Sequence, residues 1–313
     1  MRLIDSHAHL QADAFAADLP EVLSAAREAG VERLLVPGWD AVSSAAAVRL
    51  ATEWGIDAAV GIHPHDAETA TDADWASIVR LAADSRVVAI GETGLDFDRM
   101  HSPQDAQLAN LRRHLRLALD SGKPAILHCR SAAGACDAQD ALIAELRAAG
   151  FGGVAARDAF GDSPPAVLHS FSGPVDYAAA ALDMGLAIAF GGLVFRNGEE
   201  ASADVARLVP GERLLIETDS PYLAPPGVPR HKPAAAPGPA ASGPAGAAPG
   251  PSASGPAGAA PGVTARFSGR RNSPEWVRVT AEWLCEQRGE TPDSIGRGLV
   301  AAYDATFRGH SPG

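Results

Sequence analysis

Pro124-Ala125-Ile126-Leu127-His128-Cys129-Arg130 is a short aliphatic run that ends on an ionisable ring and a guanidinium. Apolar at successive positions and too short for a core helix, it reads as a β-strand covered on both faces, the pattern of a parallel sheet. Seven further runs rich in β-branched and aliphatic residues occur, at 3–9, 33–38, 57–64, 87–96, 166–172, 186–193 and 214–221. Between them lie Ala- and Leu-rich stretches of helical period, such as 21–29 and 104–119. Eight strand–helix units predict an α/β protein built as a single (β/α)8 TIM barrel, rather than an open doubly wound sheet. Such barrels reach about 250 residues as one domain, so a length of 313 does not force a split.

Local punctuation agrees. Pro20 sits in a first helical turn and Gly30 closes that helix. Ser102-Pro103 and Ser273-Pro274 each read as an N-cap followed by a first helical residue. No G-x-G-x-x-G opens a helix after the first strand, which counts against dinucleotide binding. Residues 233–265 are nearly all Pro, Ala, Gly and Ser, and contain SGPAGAAPG twice, at 242–250 and 254–262. That composition cannot bury enough apolar area to offset its ordering entropy, so a disordered insert is expected after the eighth strand. The chain then divides into barrel strands over 1–232, the insert over 233–265, and the last barrel helices and tail over 266–313. Residues 150–165 read as a second, weaker insert ahead of strand six.

The formal net charge is −12. Proteins that grip long duplexes carry a basic stripe, and none is evident here. A nucleic-acid substrate would be held over a short stretch, with bound metal supplying much of the positive charge. Aromatic residues are 5% of the chain, which argues against an extended base-stacking platform. Trp39, Phe97 and Tyr222 near strand ends read as rim packing. Three cysteines (Cys129, Cys136 and Cys285) lie in no C-x-x-C spacing, and a reduced cytoplasmic setting is expected. The first residues lack the apolar run of a signal peptide, and no stretch of about 18 apolar residues predicts a membrane span.

Six of the ten histidines fall at the C-terminal ends of predicted strands: His7, His9, His63, His65, His128 and His169. In this fold that face carries the active site. His7 and His9 are two apart on one strand and share a side. Glu92 and Asp219 end strands four and eight. Ionisable groups amid aliphatic strands are costly to bury unless paired or metal-bound. The six residues His7, His9, Glu92, His128, His169 and Asp219 exceed what one four-coordinate site needs, and a carboxylate-bridged ion pair uses them economically. Mg2+, Mn2+ and Zn2+ all suit such N/O donors. His63 and His65 are candidate contacts to a substrate phosphate, or else loop histidines that cap backbone. Arg130 can meet a phosphate oxygen, or form a surface ion pair. Asp96 and Glu217 are placed to orient ligand histidines from behind, with a direct ligand role left open for Glu217. Cys129 should face the helices as a small buried hydrophobe. His101, His114, His231 and His310 read as solvated surface.

These motifs carry a resemblance. Residues 4–10 (IDSHAHL), 61–65 (GIHPH), 91–96 (GETGLD), 126–130 (ILHCR), 168–173 (LHSFSG) and 217–223 (ETDSPYL) resemble those of the TatD-type metal-dependent hydrolases, a branch of the amidohydrolase-like barrels. Arg271-Asn272-Ser273-Pro274 is similar to the signature before that family's last helix. The resemblance implies that His7, His9, Glu92 and Asp219 hold one divalent ion and that Glu92, His128 and His169 hold the other, with Glu92 bridging. It also implies a deoxyribonuclease acting on phosphodiester bonds at DNA ends or short single strands, in the manner of a 3′→5′ exonuclease. A metal-bridging hydroxide would be the nucleophile, and Asp219, with Glu92, the catalytic carboxylate. The alternative is a deacylase, lactonase or deaminase acting on a small molecule or aminoacyl ester. Those barrels often bridge their metals with a carboxylated lysine, and Glu92 stands where that lysine would be. The family often has Asn where this chain has Tyr303 before Phe307, a departure expected to affect last-helix packing and not the metals.

Overall fold

The computed structural model describes residues 1–229 and 270–309. The Pro/Ala/Gly/Ser-rich segment, His231 and His310 lie outside the described residues. Eight strands form one sheet in sequential order: β1 (Leu3–Asp5), β2 (Val31–Pro37), β3 (Asp57–Val60), β4 (Val87–Asp96), β5 (Ala125–Arg130), β6 (Ala166–Leu168), β7 (Ala187–Phe190) and β8 (Leu214–Ile216). Every neighbouring pair is parallel. Each of the eight aliphatic runs of the sequence overlaps one strand, with β2 starting two residues ahead of its run. β1, β3, β6, β7 and β8 are buried at every position, which is why they are aliphatic apart from Asp5 and Asp57 instead of alternating.

Helices cover the outside: α1 (Leu19–Glu28), α2 (Ala41–Trp54), α3 (Asp72–Ala82), α4 (Gln104–Ser121), α5 (Asp137–Ala149), α6 (Val154–Phe160), α7 (Val175–Asp183), α8 (Ala201–Leu208), α9 (Val277–Arg288) and α10 (Pro292–Phe307). The stretch 150–165, read from sequence as a weak insert, contains α6, whose Phe160 is buried beside Phe151 at 6.4 Å between ring centroids. Gly30, at φ 97°, ends α1 as its sequence position suggests. Ser102 does not cap α4, since Pro103 occupies that position. Its hydroxyl instead donates to the His65 carbonyl (2.8 Å) and accepts from the Glu68 amide (3.1 Å), tying the loop after β3 to the start of α4. Among the described residues no helix is long and apolar enough to cross a membrane.

Closure of the ring falls just beyond the short ends of β1 and β8. The Ser6 amide donates to the Ile216 carbonyl (3.1 Å), the Asp219 amide to the His7 carbonyl (2.8 Å), and the His9 amide to the Ser220 carbonyl (2.7 Å). The buried Asp5 carboxyl spans the same seam, accepting from the Thr218 amide (2.9 Å) and hydroxyl (2.6 Å). Burial pushes Asp5 up to about 8 against these donors. Asn272 braces the seam from outside by donating its side-chain amide to the Thr218 carbonyl at 2.8 Å. At the opposite end of the strands, Tyr303 donates its hydroxyl to Asp57 (2.8 Å), which Arg308 also grips, so this tyrosine ties α10 to β3.

His114 corrects the sequence reading. It is not on the surface but wholly buried on the inner face of α4. β3 stops at Val60, so the backbone of Ile62 leaves the ladder inside the protein and needs other partners. His114 Nε2 accepts the Ile62 N–H (3.0 Å), His114 Nδ1 donates to the Asn110 carbonyl (2.8 Å), and Asn110 Nδ2 donates to the Ile62 carbonyl (2.6 Å). Both ring nitrogens are committed to a neutral ring, and burial pushes its pKa down to about 3. Below 6.5 the unfolded chain accepts a proton here that the folded chain refuses until about 3, so stability present at neutral pH is lost on acidification. Urea unfolding between pH 7 and 4.5 should show His114→Gln less stable at pH 7 than wild type, but with a shallower acid slope. The difference should approach about 1.4 kcal/mol per pH unit at most. Parallel slopes for the two proteins would refute the assignment.

Candidate metal centre

β1, β4, β5, β6 and β8 and the loops that follow them deliver six of the residues read from sequence to one place. Glu92, at 3% exposure, stands at the middle. Its Oε2 lies 3.2 Å from His7 Nε2 and 3.6 Å from His9 Nε2. Asp219 Oδ1 completes this group, 3.4 Å from His9 Nε2 and 3.9 Å from His7 Nε2. The two imidazole Nε2 atoms are themselves 3.2 Å apart. Glu92 Oε1 faces a second group: His169 Nε2 at 2.9 Å, His63 Nε2 at 3.2 Å and His128 Nδ1 at 3.4 Å. One carboxylate therefore presents a different oxygen to each of two nests.

The donor spacing fits a cation. Atoms bound about 2.0–2.2 Å from one tetrahedral ion lie about 3.3–3.6 Å from each other, and the separations in the first nest cluster around that value. His169 Nε2 is buried without a hydrogen-bond partner although Glu92 lies within reach. Such an atom is costly to bury unless something else fills the gap.

The outer face of each ring decides which nitrogen offers a lone pair. His9 Nδ1 faces the Pro37 carbonyl at 3.3 Å, which only accepts, so Nδ1 carries the proton and Nε2 is free for a metal. His169 Nδ1 lies 3.2 Å from Glu217 Oε1, and His128 Nε2 lies 3.3 Å from Asp96 Oδ2. Carboxylates there hold the ring protons outward and turn the other nitrogen of each ring toward Glu92. His63 has the opposite arrangement. Its Nδ1 accepts the His65 N–H at 3.1 Å, so the proton of the neutral ring sits on Nε2 and points at Glu92 Oε1. Burial pushes His63 down to about 4, which keeps that ring neutral near pH 7. Three histidines thus turn a lone pair toward the nests, His7 Nε2 faces Glu92 with its Nδ1 buried and unpartnered, and His63 donates an N–H into the second nest.

Burial raises Glu92, but the imidazoles that face it, His169 first and then His63 and His7, outweigh burial and hold this carboxyl well below its usual range. Asp219 is likewise pushed up by burial and held lower by the hydrogen bond and charge of His9, with His7 and His169 adding. Asp219 sits at φ 52°, a left-handed conformation that Asp tolerates, and the chain turns there so that the carboxylate faces His9.

The other sequence candidates lie farther out. Glu217 stands behind His169 and Asp96 behind His128, and Glu217 also groups with His7 and His169 closely enough to share an ion with them. Glu217 also accepts the Ser170 amide at 2.6 Å. His65 Nε2 is engaged by Asp96 Oδ2 at 2.8 Å, its ring stacked on exposed His101 at 4.4 Å. Arg130 is exposed and paired with Asp98 at 2.7 Å, the surface ion pair left open by the sequence. Burial pushes the Cys129 thiol up to about 12, too high for a nucleophile. Trp39 and Tyr222 flank His9 at ring-centroid distances of 5.4 and 5.9 Å. Missed from sequence were Asp5, which fixes the seam under His7, and the α4 trio Gln107, Asn110 and His114. Gln107 accepts the Asp96 amide (2.7 Å) and donates to the Asp96 carbonyl (3.0 Å). The available signal was polar residues three and four apart on the Leu111–Leu115 face of an amphipathic helix.

Comparison with known proteins bears on this centre. The family model described as "TatD related DNase" matches residues 4–308. An uncharacterized metal-dependent hydrolase, YabD of Bacillus subtilis (strain 168), is 31% identical over 94% of this chain and 94% of its own. The 3′-5′ ssDNA/RNA exonuclease TatD of Erwinia billingiae (strain Eb661) is 31% identical over 98% of this chain and 99% of its own. Among solved structures, the TatD homolog YJJV from Escherichia coli K12 superposes with a TM-score of 0.75 at 26% identity, covering 98% of each chain.

The tautomers predict a difference that metal analysis reads directly. After dialysis against Mn2+ and removal of free ion, His169→Ala and His128→Ala should each retain fewer metal equivalents than wild type, whereas His63→Ala should retain the wild-type number. Loss of an equivalent from His63→Ala would mean that this ring binds metal through Nε2 and that the proton assignment is wrong.

Proposed function

The chain belongs to the TatD-related DNase family and is a metal-dependent hydrolase, and we propose that it is a two-metal deoxyribonuclease that shortens single-stranded DNA from its 3′ end. The observation that carries this reading is the division of the Glu92 oxygens between two nests of donors. His7, His9, Asp219 and Glu92 Oε2 would hold one ion, and Glu92 Oε1, His128 and His169 the other, with Mg2+, Mn2+ and Zn2+ all compatible. When bound, such a pair acidifies water and neutralises charge growing on phosphoryl oxygens.

The chain's own residues do the rest. Asp219, kept ionised by His9 at the edge of the first nest, accepts the proton of the attacking water. His63 offers its Nε2 proton to a phosphoryl oxygen on the side of the second nest, where it now meets Glu92. Asp96 and Glu217 keep the protons of His128 and His169 on the outward nitrogens, so neither ring turns its lone pair away. His65 and Arg130, tied to Asp96 and Asp98, shape the rim rather than reach the reacting phosphate.

The relative from Erwinia billingiae bears the name of a 3′-5′ exonuclease of single-stranded DNA and RNA, which supports the same substrate class here. With a 3′-labelled oligonucleotide and Mn2+ or Mg2+, the wild type should release label in a metal-dependent way. Asp219→Asn should slow this by about 10^2–10^4-fold, the span of lost general base catalysis, and Glu92→Ala should abolish it. Ion binding without turnover of any nucleic acid would replace this reading with hydrolysis of a small ester or amide.

A further inference from the structure

The two nests open into a cleft of about 1060 Å3, slightly more than a drug-sized ligand fills. Its lining is more acidic than basic, yet most of the acid is already answered. Glu92 and Asp219 face histidines, Asp96 faces His65 and His128, and Asp98 is paired with Arg130. The cationic side chains of the lining are Arg99, Arg130 and Arg196. Arg99 lies on the loop after β4 and Arg196 on the loop after β7, three strands apart around the ring. Both are exposed, and neither has a side-chain hydrogen bond or ion pair with any described residue. Arg99, Tyr222 and Asp219 line the same cleft.

A free guanidinium on a strongly acidic protein is drawn to neighbouring carboxylates unless geometry keeps it clear of them. Two such groups face the same cleft, while the arginine a sequence reading would choose, Arg130, is held by Asp98. Guanidinium is the side chain best matched to phosphate oxygens, which it can hold through two parallel N–H donors. We infer that Arg99 and Arg196 bind backbone phosphates of the substrate strand other than the one being cleaved. This inference rests on the nuclease reading and deepens it. The preferred substrate is then a single strand carrying at least two phosphates beyond the scissile bond. A lone phosphodiester fills only the nests and leaves both arginines idle.

The test compares a fluorescein-labelled single-stranded decanucleotide with bis(4-nitrophenyl) phosphate, using Mn2+-loaded full-length protein. In Arg99→Ala/Arg196→Ala the ratio of kcat/KM on the decanucleotide to that on the small diester should fall about tenfold or more, mostly through KM. The dependence of log KM on log salt should flatten by about 1.4, two phosphate contacts on a single strand. The small diester also reports whether the variant is folded. Wild-type cleavage of the decanucleotide, with an unchanged ratio and salt slope in the variant, overturns the inference and leaves the nuclease reading standing. Equal loss on both substrates also overturns it, since the arginines would then act on the fold or on the reacting phosphate. Hydrolysis of the small diester by a wild type that neither cleaves nor binds the decanucleotide overturns the nuclease reading and this one together.

Discussion

A carboxylate walled in by five imidazoles governs the rest of this molecule. Glu92 is nearly dry, and a buried charge of that kind is tolerable only when its surroundings answer it. Every strand-end histidine except His65 approaches one of its two oxygens, and the oxygen approached decides which nest the histidine belongs to. Neutral rings crowded this closely repel through their lone pairs. The grouping is comfortable only when positive charge, as protons or as cations, is shared among them.

What fixes that grouping is a ring of acceptors outside it. Pro37, Asp96 and Glu217 each take a ring proton, and the backbone of His65 supplies one to His63 instead. Hydrogen bonds on the far side of a ring thus choose between metal ligand and proton donor for the same residue type. Those acceptors are themselves held. Gln107 clamps the backbone of Asp96 from α4, the Ser170 amide fixes Glu217, and Asn110 with His114 sets the backbone that leads into His63. Precision at the centre is therefore a property of α4 and of strand ends together.

The barrel and the two nests were legible because both arise from local pattern. Aliphatic runs covered on both faces are unmistakably strands of a parallel sheet, and a charge at the end of such a run is too costly to be accidental. The support layer was harder to read. His114 differs from a surface histidine only in where its helix face points, and Ser102 looks like any residue placed to cap a helix. Their roles follow from the backbone of residues 62–68, which leaves the ladder and needs partners that no short-range pattern announces. His63 shows a further limit. Its motif identifies it as functional, but its protonation depends on one amide two residues away and on the turn that aims it.

The seam between β1 and β8 has a consequence for how the catalyst comes into being. Asp5 and Thr218 are 213 positions apart, and the same seam joins His7 to Asp219. Contacts of such long sequence separation form late, after the entropy of closing the intervening loops has been met. A chain cut short of Asp219 lacks one member of the first nest, and Asn272, still farther along the sequence, braces the same seam. The first nest is therefore complete only in a chain that reaches past β8, where the two ends of the ring are brought together.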